Sequence, residues 1–336
     1  MRWLMRIMIA MICCLGFLAN AGFTAEMKTV VLVEYTSEPA KTTMKQHVLA
    51  GLAQAGFQEN TNLKLVSFEA PRPADWPEQV AQLAPDVVIE YSGETGVTAK
   101  LHELGVPTVS YWGTAPYVGP DGIPTANITG VYTGHKDTVY NSLKLLHTIA
   151  PLKPGQQAVF FENKQRVIFP KEEVLDALKR LDVPLKAIED TTHYEDWQAA
   201  LLKYNEDPEV GWLVVLAWPY LKRDGTIPDR NVEVAQWQRE RLKKPYVTFW
   251  VPTVQSGVLC AFAVDTDDVA LQLAEMAARI LKGEPIQSIK AEYPRKTLVA
   301  INRKTADFMG ITLSLDALKL ANVIFNDYEG KDVIRK

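Results

Sequence analysis

The stretch VVLVEYTSEPA, residues 30–40, has a close counterpart in DVVIEYSGETG, residues 86–96. In both, a short valine-rich run leads into a Glu-Tyr pair, a hydroxyl-bearing residue and a second glutamate. A short apolar run bounded by polar residues is typical of a buried parallel strand that opens into a helix. The repeat therefore predicts two parallel strands of one sheet, each ending in a Glu-Tyr pair.

Two interpretations of the repeat are open at this point. Hydroxyl side chains cap helices and a glutamate in the first turn favours the helix dipole, so both clusters could simply cap helices. Capping does not explain the repeated Glu-Tyr pair, however. In a doubly wound sheet of order 2-1-3-4-5, strands 1 and 3 flank the switch point where ligands bind. The second interpretation is therefore a ligand-facing wall of Glu34, Tyr35, Thr36, Ser37, Glu90, Tyr91, Ser92, Gly93, Glu94 and Thr95, with Tyr91 in direct contact.

Residues 1–21 have the parts of a secretory signal peptide: a basic start, an apolar run and small residues before the cleavage point. The apolar run is shorter than the roughly 20 residues that a membrane span needs, and no later stretch approaches that length. We therefore expect cleavage after Ala21 or Ala25, a periplasmic location and a mature chain without a membrane span.

Charge and cysteine content disfavour several classes of protein. The chain has 36 basic and 40 acidic residues, and loss of Arg2 and Arg6 with the signal makes it more acidic, which disfavours a nucleic-acid partner. Cys13 and Cys14 lie in the signal, and Cys260 lies in an apolar strand where it is expected to pack rather than react. The five histidines lack metal-ligand spacing, so we expect no metal and no cofactor.

Beyond the signal, short apolar runs alternate with amphipathic segments. The first series predicts strands at 29–34, 62–68, 86–90 and 106–112, and a second series of similar design follows residue 133. Such β-α alternation is typical of a parallel, doubly wound sheet. The sequence thus predicts an α/β protein with two Rossmann-like lobes, expected to be a monomer.

Large aromatic side chains follow several of the predicted strands. Aromatic residues at loop positions are less well explained by core packing than those inside periodic segments, and together they suggest a cleft that stacks on a planar group or cages a cation. In FFENKQR, residues 160–166, Asn163 and Arg166 follow a predicted strand and could hold a carboxylate. A solvated charged loop explains this stretch equally well. The further candidate ligand-binding residues are Tyr111, Trp112, Asn163, Arg166, Trp218, Tyr220 and Trp250.

Two segments resemble a known family. LAEMAARILKGEPIQSIKAEYPRKTLVAINRKTADFMGITLS, residues 273–314, is similar to the end of ABC-transporter substrate-binding proteins of the tryptophan/tyrosine-binding type. It has that family's Lys-Gly-Glu turn and its Ile-Asn-x-Lys-Thr-Ala segment. NITGVYTGHKDTVYNSLKLLHTIAP, residues 127–151, resembles the family's Asn-x-Thr-Gly-Val crossover and the helix after it.

The resemblance implies the type I periplasmic-binding-protein fold, in which two lobes joined by three crossovers close over a small solute. On that pattern lobe one comprises 27–130 plus 253–284, and lobe two comprises 131–252 plus 285–336. The chain departs from the family at the strand exits, where YSGET, YWGTAPY, AWPYLKRDGT and FWVPT replace smaller turns. The resemblance therefore carries over the fold and not the individual ligand contacts.

These observations favour a periplasmic solute-binding protein that captures a small aromatic or amine-bearing solute for an ABC permease, and not an enzyme. One alternative keeps the fold and passes the liganded state to a membrane sensor kinase or cyclase. Another is a secreted hydrolase that uses Glu34 and Glu90 as a carboxylate pair. Phosphate-loop, dinucleotide and nucleophile-elbow motifs are absent from the sequence.

Overall fold

The structure is a computed structural model that describes residues 26–34, 40–93, 96–162, 169–215, 221–226, 228–229 and 233–336. Its described residues form two compact units. The first comprises the described residues up to Gly130 together with Leu273–Lys290, and the second comprises Val131–Gln272 together with Ala291–Lys336. The predicted signal peptide lies outside the described residues.

The first unit contains a five-stranded sheet whose neighbouring strands are all parallel. Its strand order is β2-β1-β3-β4-β5, so the order 2-1-3-4-5 considered for the sequence is confirmed. The elements are β1 (Lys28–Glu34), α1 (Ala40–Gln54), β2 (Leu63–Glu69), α2 (Trp76–Leu83), β3 (Val87–Tyr91), α3 (Val97–Glu103), β4 (Thr108–Ser110) and β5 (Ile128–Gly130).

The second unit contains an eight-stranded sheet of order β13-β12-β11-β10-β9-β8-β6-β7. Its strands are β6 (Gln157–Glu162), β7 (Leu185–Asp190), β8 (Val210–Val214), β9 (Tyr246–Thr248), β10 (Cys260–Val264), β11 (Thr297–Asn302), β12 (Val323–Phe325) and β13 (Val333–Arg335). Its helices are α4 (Thr138–Ile149), α5 (Lys171–Arg180), α6 (Tyr194–Asn205), α7 (Ala235–Arg241), α8 (Val251–Gln255), the start of α9 (Thr266–Leu281), α10 (Arg303–Phe308) and α11 (Leu315–Leu320).

This second sheet is not purely parallel. β10 pairs with β11, and β12 with β13, in antiparallel register, while the remaining neighbours are parallel. Both antiparallel pairs lie in the part of the sheet formed by β10 to β13, where strands that are consecutive in sequence are also neighbours in the sheet. The α/β, doubly wound class expected from the sequence is confirmed, with these two antiparallel pairs added.

The units differ from the lobe boundaries expected from the resemblance. The stretch 253–284 was assigned to lobe one, yet β10 pairs with β9 and β11 and so belongs to the second sheet. The change of unit falls inside α9, at Gln272 and Leu273, and the return falls at Lys290 and Ala291. The first boundary, at Gly130 and Val131, coincides with the expected one.

Packing explains why these segments form strands and helices. On β8, Trp212 and Val214 pack into one hydrophobic cluster while Leu213, between them, packs into another on the opposite face. That alternation is what a strand covered on both faces requires, because successive side chains point to opposite sides. Cys260 is likewise buried in the sheet, where burial raises the pKa of its thiol, so the expectation that it packs is confirmed.

The Lys-Gly-Glu turn after α9 is held by an ion pair. Both carboxyl oxygens of Glu284 accept from the Arg279 guanidinium, at 2.5 and 2.8 Å, and one also accepts from Ser288 Oγ at 2.9 Å. These hydrogen bonds lower the pKa of Glu284 from 4.5 to about 2.

Among the described residues, no helix combines the length and the apolar character that crossing a membrane would demand.

Candidate functional site

The two Glu-Tyr pairs of the sequence lie on neighbouring strands, as predicted. β1 and β3 pair in parallel with Val33 opposite Glu90 and Glu34 opposite Tyr91. The two pairs are therefore staggered by one residue at the carboxyl edge of the first sheet. β4 continues this edge, with Ser110 opposite Glu90. Tyr35, Thr36, Ser37, Glu94 and Thr95 lie outside the described residues.

Glu90 is fully buried, and both of its carboxyl oxygens accept hydrogen bonds from the protein. Its Oε1 accepts from Ser92 N at 2.7 Å and from Ser92 Oγ at 2.5 Å. Its Oε2 accepts from Ser110 Oγ at 2.6 Å and from Thr98 Oγ1 at 3.4 Å. An ionised carboxylate is an acceptor only, so this ring of donors suits it. The side chain predicted to face ligand is thus surrounded by hydroxyl and amide groups of its own unit.

Glu34 is also nearly inaccessible, at 2 % relative exposure. Its Oε1 lies 3.8 Å from Lys45 Nζ, which also donates to Ser67 Oγ at 2.9 Å. The backbone carbonyl of Glu34 accepts from Arg72 Nη1 at 3.1 Å. Lys45 thus lies within ion-pair distance of the Glu34 carboxylate, and a buried carboxylate needs such a charged partner because burying it alone costs several kcal/mol. Both glutamates therefore have partners within the first unit.

Tyr91, Tyr111 and Trp112 form an aromatic stack at the same edge. The rings of Tyr91 and Tyr111 have centroids 6.0 Å apart and are inclined by 21°, and Trp112 meets Tyr111 edge-on at 5.1 Å. Tyr91 and Tyr111 are buried, and burial raises the pKa of the Tyr111 phenol, whereas Trp112 is half-buried. The aromatic stack brings Tyr91, from one predicted strand exit, together with Tyr111 and Trp112 from the next.

The loop that carries Trp112 packs closely against α3. A Cβ built on Gly113 would lie 2.0 Å from Thr98 Oγ1, so only glycine fits at that position. Gly130, with φ of 146°, brings the end of β5 equally close to Ser110, since a Cβ there would lie 1.8 Å from the Ser110 carbonyl oxygen. The surroundings of Glu90 are therefore tightly packed on both sides.

Of the remaining predicted residues, the structure describes Trp250 in the second unit and Gly93 in the first. Trp250 follows β9 at the N-cap of α8, where it is half-buried and its carbonyl accepts from Thr253 Oγ1 at 2.7 Å. Gly93 lies in the loop after β3 and is half-buried. Asn163, Arg166, Trp218 and Tyr220 lie outside the described residues, so their proposed contacts with ligand stay predictions.

Sequence reasoning missed a basic groove beside the exit of β2. It has a volume of about 470 Å³ and is lined by Ala70, Pro71, Arg72, Pro73, Ala74, Trp76 and Lys100. Arg72 Cζ lies 5.7 Å and Lys100 Nζ 5.9 Å from the centroid of the Trp76 ring, both within cation-π range. The stretch PRPADWP, with a cation and an indole between prolines, was the available signal. Two cations beside a ring suit an anionic group.

Comparison with known sequences gives a match to one family. The model of that family, described as ABC transporter substrate binding protein, matches residues 223–324. This range contains the whole tail segment, residues 273–314, on which the resemblance rests, and the match confirms the resemblance there. A search of curated proteins finds no match to the chain.

Solved structures match over most of the chain. A Streptococcus pneumoniae ABC domain in complex with L-Trp is 17 % identical with a TM-score of 0.70, covering 89 % of this chain and 100 % of its own. A conserved domain protein from Vibrio cholerae is 19 % identical, with a TM-score of 0.68 and coverages of 90 % and 100 %. A ligand-free, open substrate binding protein with adhesive properties from Clostridium difficile is 16 % identical, with a TM-score of 0.65 and coverages of 86 % and 97 %. The chain has the type I periplasmic-binding-protein fold.

Proposed function

We propose that this chain is the substrate-binding protein of an ABC importer and captures a small aromatic solute, with Trp112, supported by the buried rings of Tyr91 and Tyr111, forming part of its binding surface. The observation that carries the proposal is the position of Tyr91, Tyr111 and Trp112 at the carboxyl edge of the first sheet, next to the switch point between β1 and β3. Doubly wound sheets bind their ligands at that edge. The family match over residues 223–324 supports the transport role.

The aromatic part of the solute carries more of the recognition than an amine would. The carboxyl oxygens of Glu90 accept from three residues of the protein, and Glu34 lies beside Lys45. Neither glutamate therefore has the open, uncompensated carboxylate that an ammonium group would select. Stacked and edge-on rings are worth about 0.5–1.5 kcal/mol per contact beyond their buried area. The Streptococcus pneumoniae neighbour with L-Trp makes an indole a sensible first probe.

The same geometry disfavours the hydrolase alternative. A general acid or base has to come within hydrogen-bond reach of the substrate. Glu90 and Glu34 have relative exposures of 0 and 2 %, and their side chains contact groups of the protein. The family matched by the tail consists of substrate-binding proteins, and we propose no catalytic step. The partner that we propose is a membrane permease. The mature protein would meet it in the periplasm, after removal of the predicted signal peptide.

A thermal-shift screen tests the proposed class of solute. We expect L-tryptophan or L-tyrosine at a hundredfold excess over Kd to stabilise the folded protein by about 3 kcal/mol, or about 5 °C in Tm. L-leucine and D-ribose are the controls, and indole-3-propionate and tryptamine separate recognition of the ring from that of the charged groups. Stabilisation by D-ribose alone would contradict an aromatic solute.

A further inference from the structure

Glu90 connects three elements of the first unit through one buried carboxyl group. Ser92 opens the loop after β3, Thr98 lies in the first turn of α3, and Ser110 is the last residue of β4. All three donate to the Glu90 side chain. A fully buried carboxyl group that makes these bonds favours one relative position of its donors, because water does not replace a hydrogen bond that is lost in a buried site.

The hydrogen bonds extend from Glu90 into the loop after β4. Ser110 Oγ, which donates to Glu90, itself accepts from Gly113 N at 3.0 Å. The Glu90 backbone carbonyl accepts from Tyr111 N at 3.1 Å. The side chain and backbone of Glu90 therefore hold the start of segment 110–113, and Ser110 Oγ holds its end at Gly113. The close approach of Gly113 to Thr98 leaves that segment little freedom.

The aromatic stack sits on the segments fixed in this way. Tyr91 follows Glu90 directly, and Tyr111 and Trp112 follow Ser110. We propose that Glu90 is a positioning residue: its buried carboxyl group fixes Ser92 after β3 and segment 110–113 after β4 and thereby orients the aromatic stack, without contacting the solute itself. The expected effect of Glu90 on affinity rests on the proposed function. Its expected effect on the rigidity of the neighbouring segments does not, because that effect is measured in the free protein.

Amide exchange in the free protein tests the locking directly. In Glu90→Leu, which has no acceptor, we expect the amide protons of Ser92 and Gly113, followed by NMR, to exchange at least about tenfold faster than in the wild type. Glu90→Gln keeps one carbonyl oxygen as an acceptor and replaces the other by an NH2 donor, from which a rotated Ser or Thr hydroxyl group can accept. Exchange of the Ser92 and Gly113 amides should therefore rise less than about threefold in this variant. Unchanged exchange in Glu90→Leu, or equal rates in the two variants, would overturn the proposal.

A second pair of variants keeps the test valid if Glu90→Leu does not fold. Ser110→Ala removes the link to Gly113 and should speed exchange of its amide by about tenfold. Thr108→Val is the matched control, because Thr108 is also buried on β4 and donates to the Val106 carbonyl at 3.0 Å, apart from Glu90. It should lose comparable stability and leave exchange of Gly113 unchanged. Equal exchange in Ser110→Ala and Thr108→Val would refute the assignment.

Binding of L-tryptophan then separates this inference from the proposed function. If the wild type binds the probe, Glu90→Leu and Ser110→Ala should weaken binding by about tenfold, and Thr108→Val should not. A wild type that binds no solute removes the proposed function but leaves the exchange result to decide the role of Glu90. Faster exchange together with native affinity would overturn the claim that the loops orient the binding surface.

Discussion

Replacing Asn302 with aspartate is expected to lower the free energy of unfolding by about 3 kcal/mol. Asn302 is fully buried, and its Nδ2 lies within hydrogen-bond distance of three carbonyl oxygens, those of Val254 at 2.8 Å, Gln255 at 3.3 Å and Asp327 at 3.2 Å. Aspartate has the same shape but offers a second acceptor in place of the donor. Three carbonyl groups would then face a carboxylate oxygen in a buried site.

The aspartate substitution isolates this loss from the capping role of the side chain. Asn302 Oδ1 caps α10 by accepting from Thr305 N at 3.0 Å, and aspartate caps a helix as well as asparagine does. Asn322→Asp is the matched control, because the half-buried Asn322 accepts from Val299 N at 2.8 Å and keeps that acceptor as aspartate. Urea denaturation of the three proteins measures the difference. A loss below about 1 kcal/mol in Asn302→Asp would show that the amide donor contributes little.

Replacing Tyr91 with alanine is expected to lower the affinity for L-tryptophan by about tenfold and the free energy of unfolding by about 3 kcal/mol. The ring is only 3 % exposed and stacks on Tyr111, so its removal leaves a cavity and withdraws support from the aromatic stack. Tyr91→Phe keeps the ring and should bind almost normally. Titration calorimetry beside thermal melts measures both effects.

A buried tyrosine elsewhere provides the control for this prediction. Tyr204 is 5 % exposed and packs edge-on against Phe161, with ring centroids 6.2 Å apart, in the core of the second unit. Tyr204→Ala should lose comparable stability and retain native affinity. Native affinity in Tyr91→Ala would contradict an aromatic binding surface at this edge, and the repeated Glu-Tyr pair would then be explained by packing alone.

The sequence predicted the part of the fold that depends on local pattern. The valine-rich runs before Glu34 and Glu90 predicted two buried strands. Their repetition predicted that the two Glu-Tyr pairs end neighbouring parallel strands, which the pairing of β1 with β3 confirms. The placing of 253–284 in lobe one was implied by the resemblance alone, and β10 lies instead in the second sheet, because an apolar run such as GVLCAFAV shows that a strand is buried and not which sheet it joins. Its sheet is decided by pairing with β9 and with β11, about 40 residues later, which no local signal encodes.

The environment of Glu90 could not be predicted for a related reason. A glutamate after a buried strand is compatible with ligand binding, with capping and with an internal hydrogen-bond network. Ser92 is near it in sequence, but Ser110 is twenty residues away and reaches Glu90 only through the pairing of β3 with β4. Tyr111 and Trp112 were identified because aromatic residues at a strand exit are conspicuous in sequence, whereas their stacking on Tyr91 depends on the same strand pairing.

Native mass spectrometry of the protein, purified without denaturation, tests the solute-binding function most directly. We expect the mature chain to carry one small organic molecule non-covalently, with aromatic ultraviolet absorbance after its release, or to gain the mass of one L-tryptophan when that probe is added. The mass should be lost in denaturing solvent. A spectrum that shows only the bare chain, both as purified and with every probe of the thermal screen, would contradict the account.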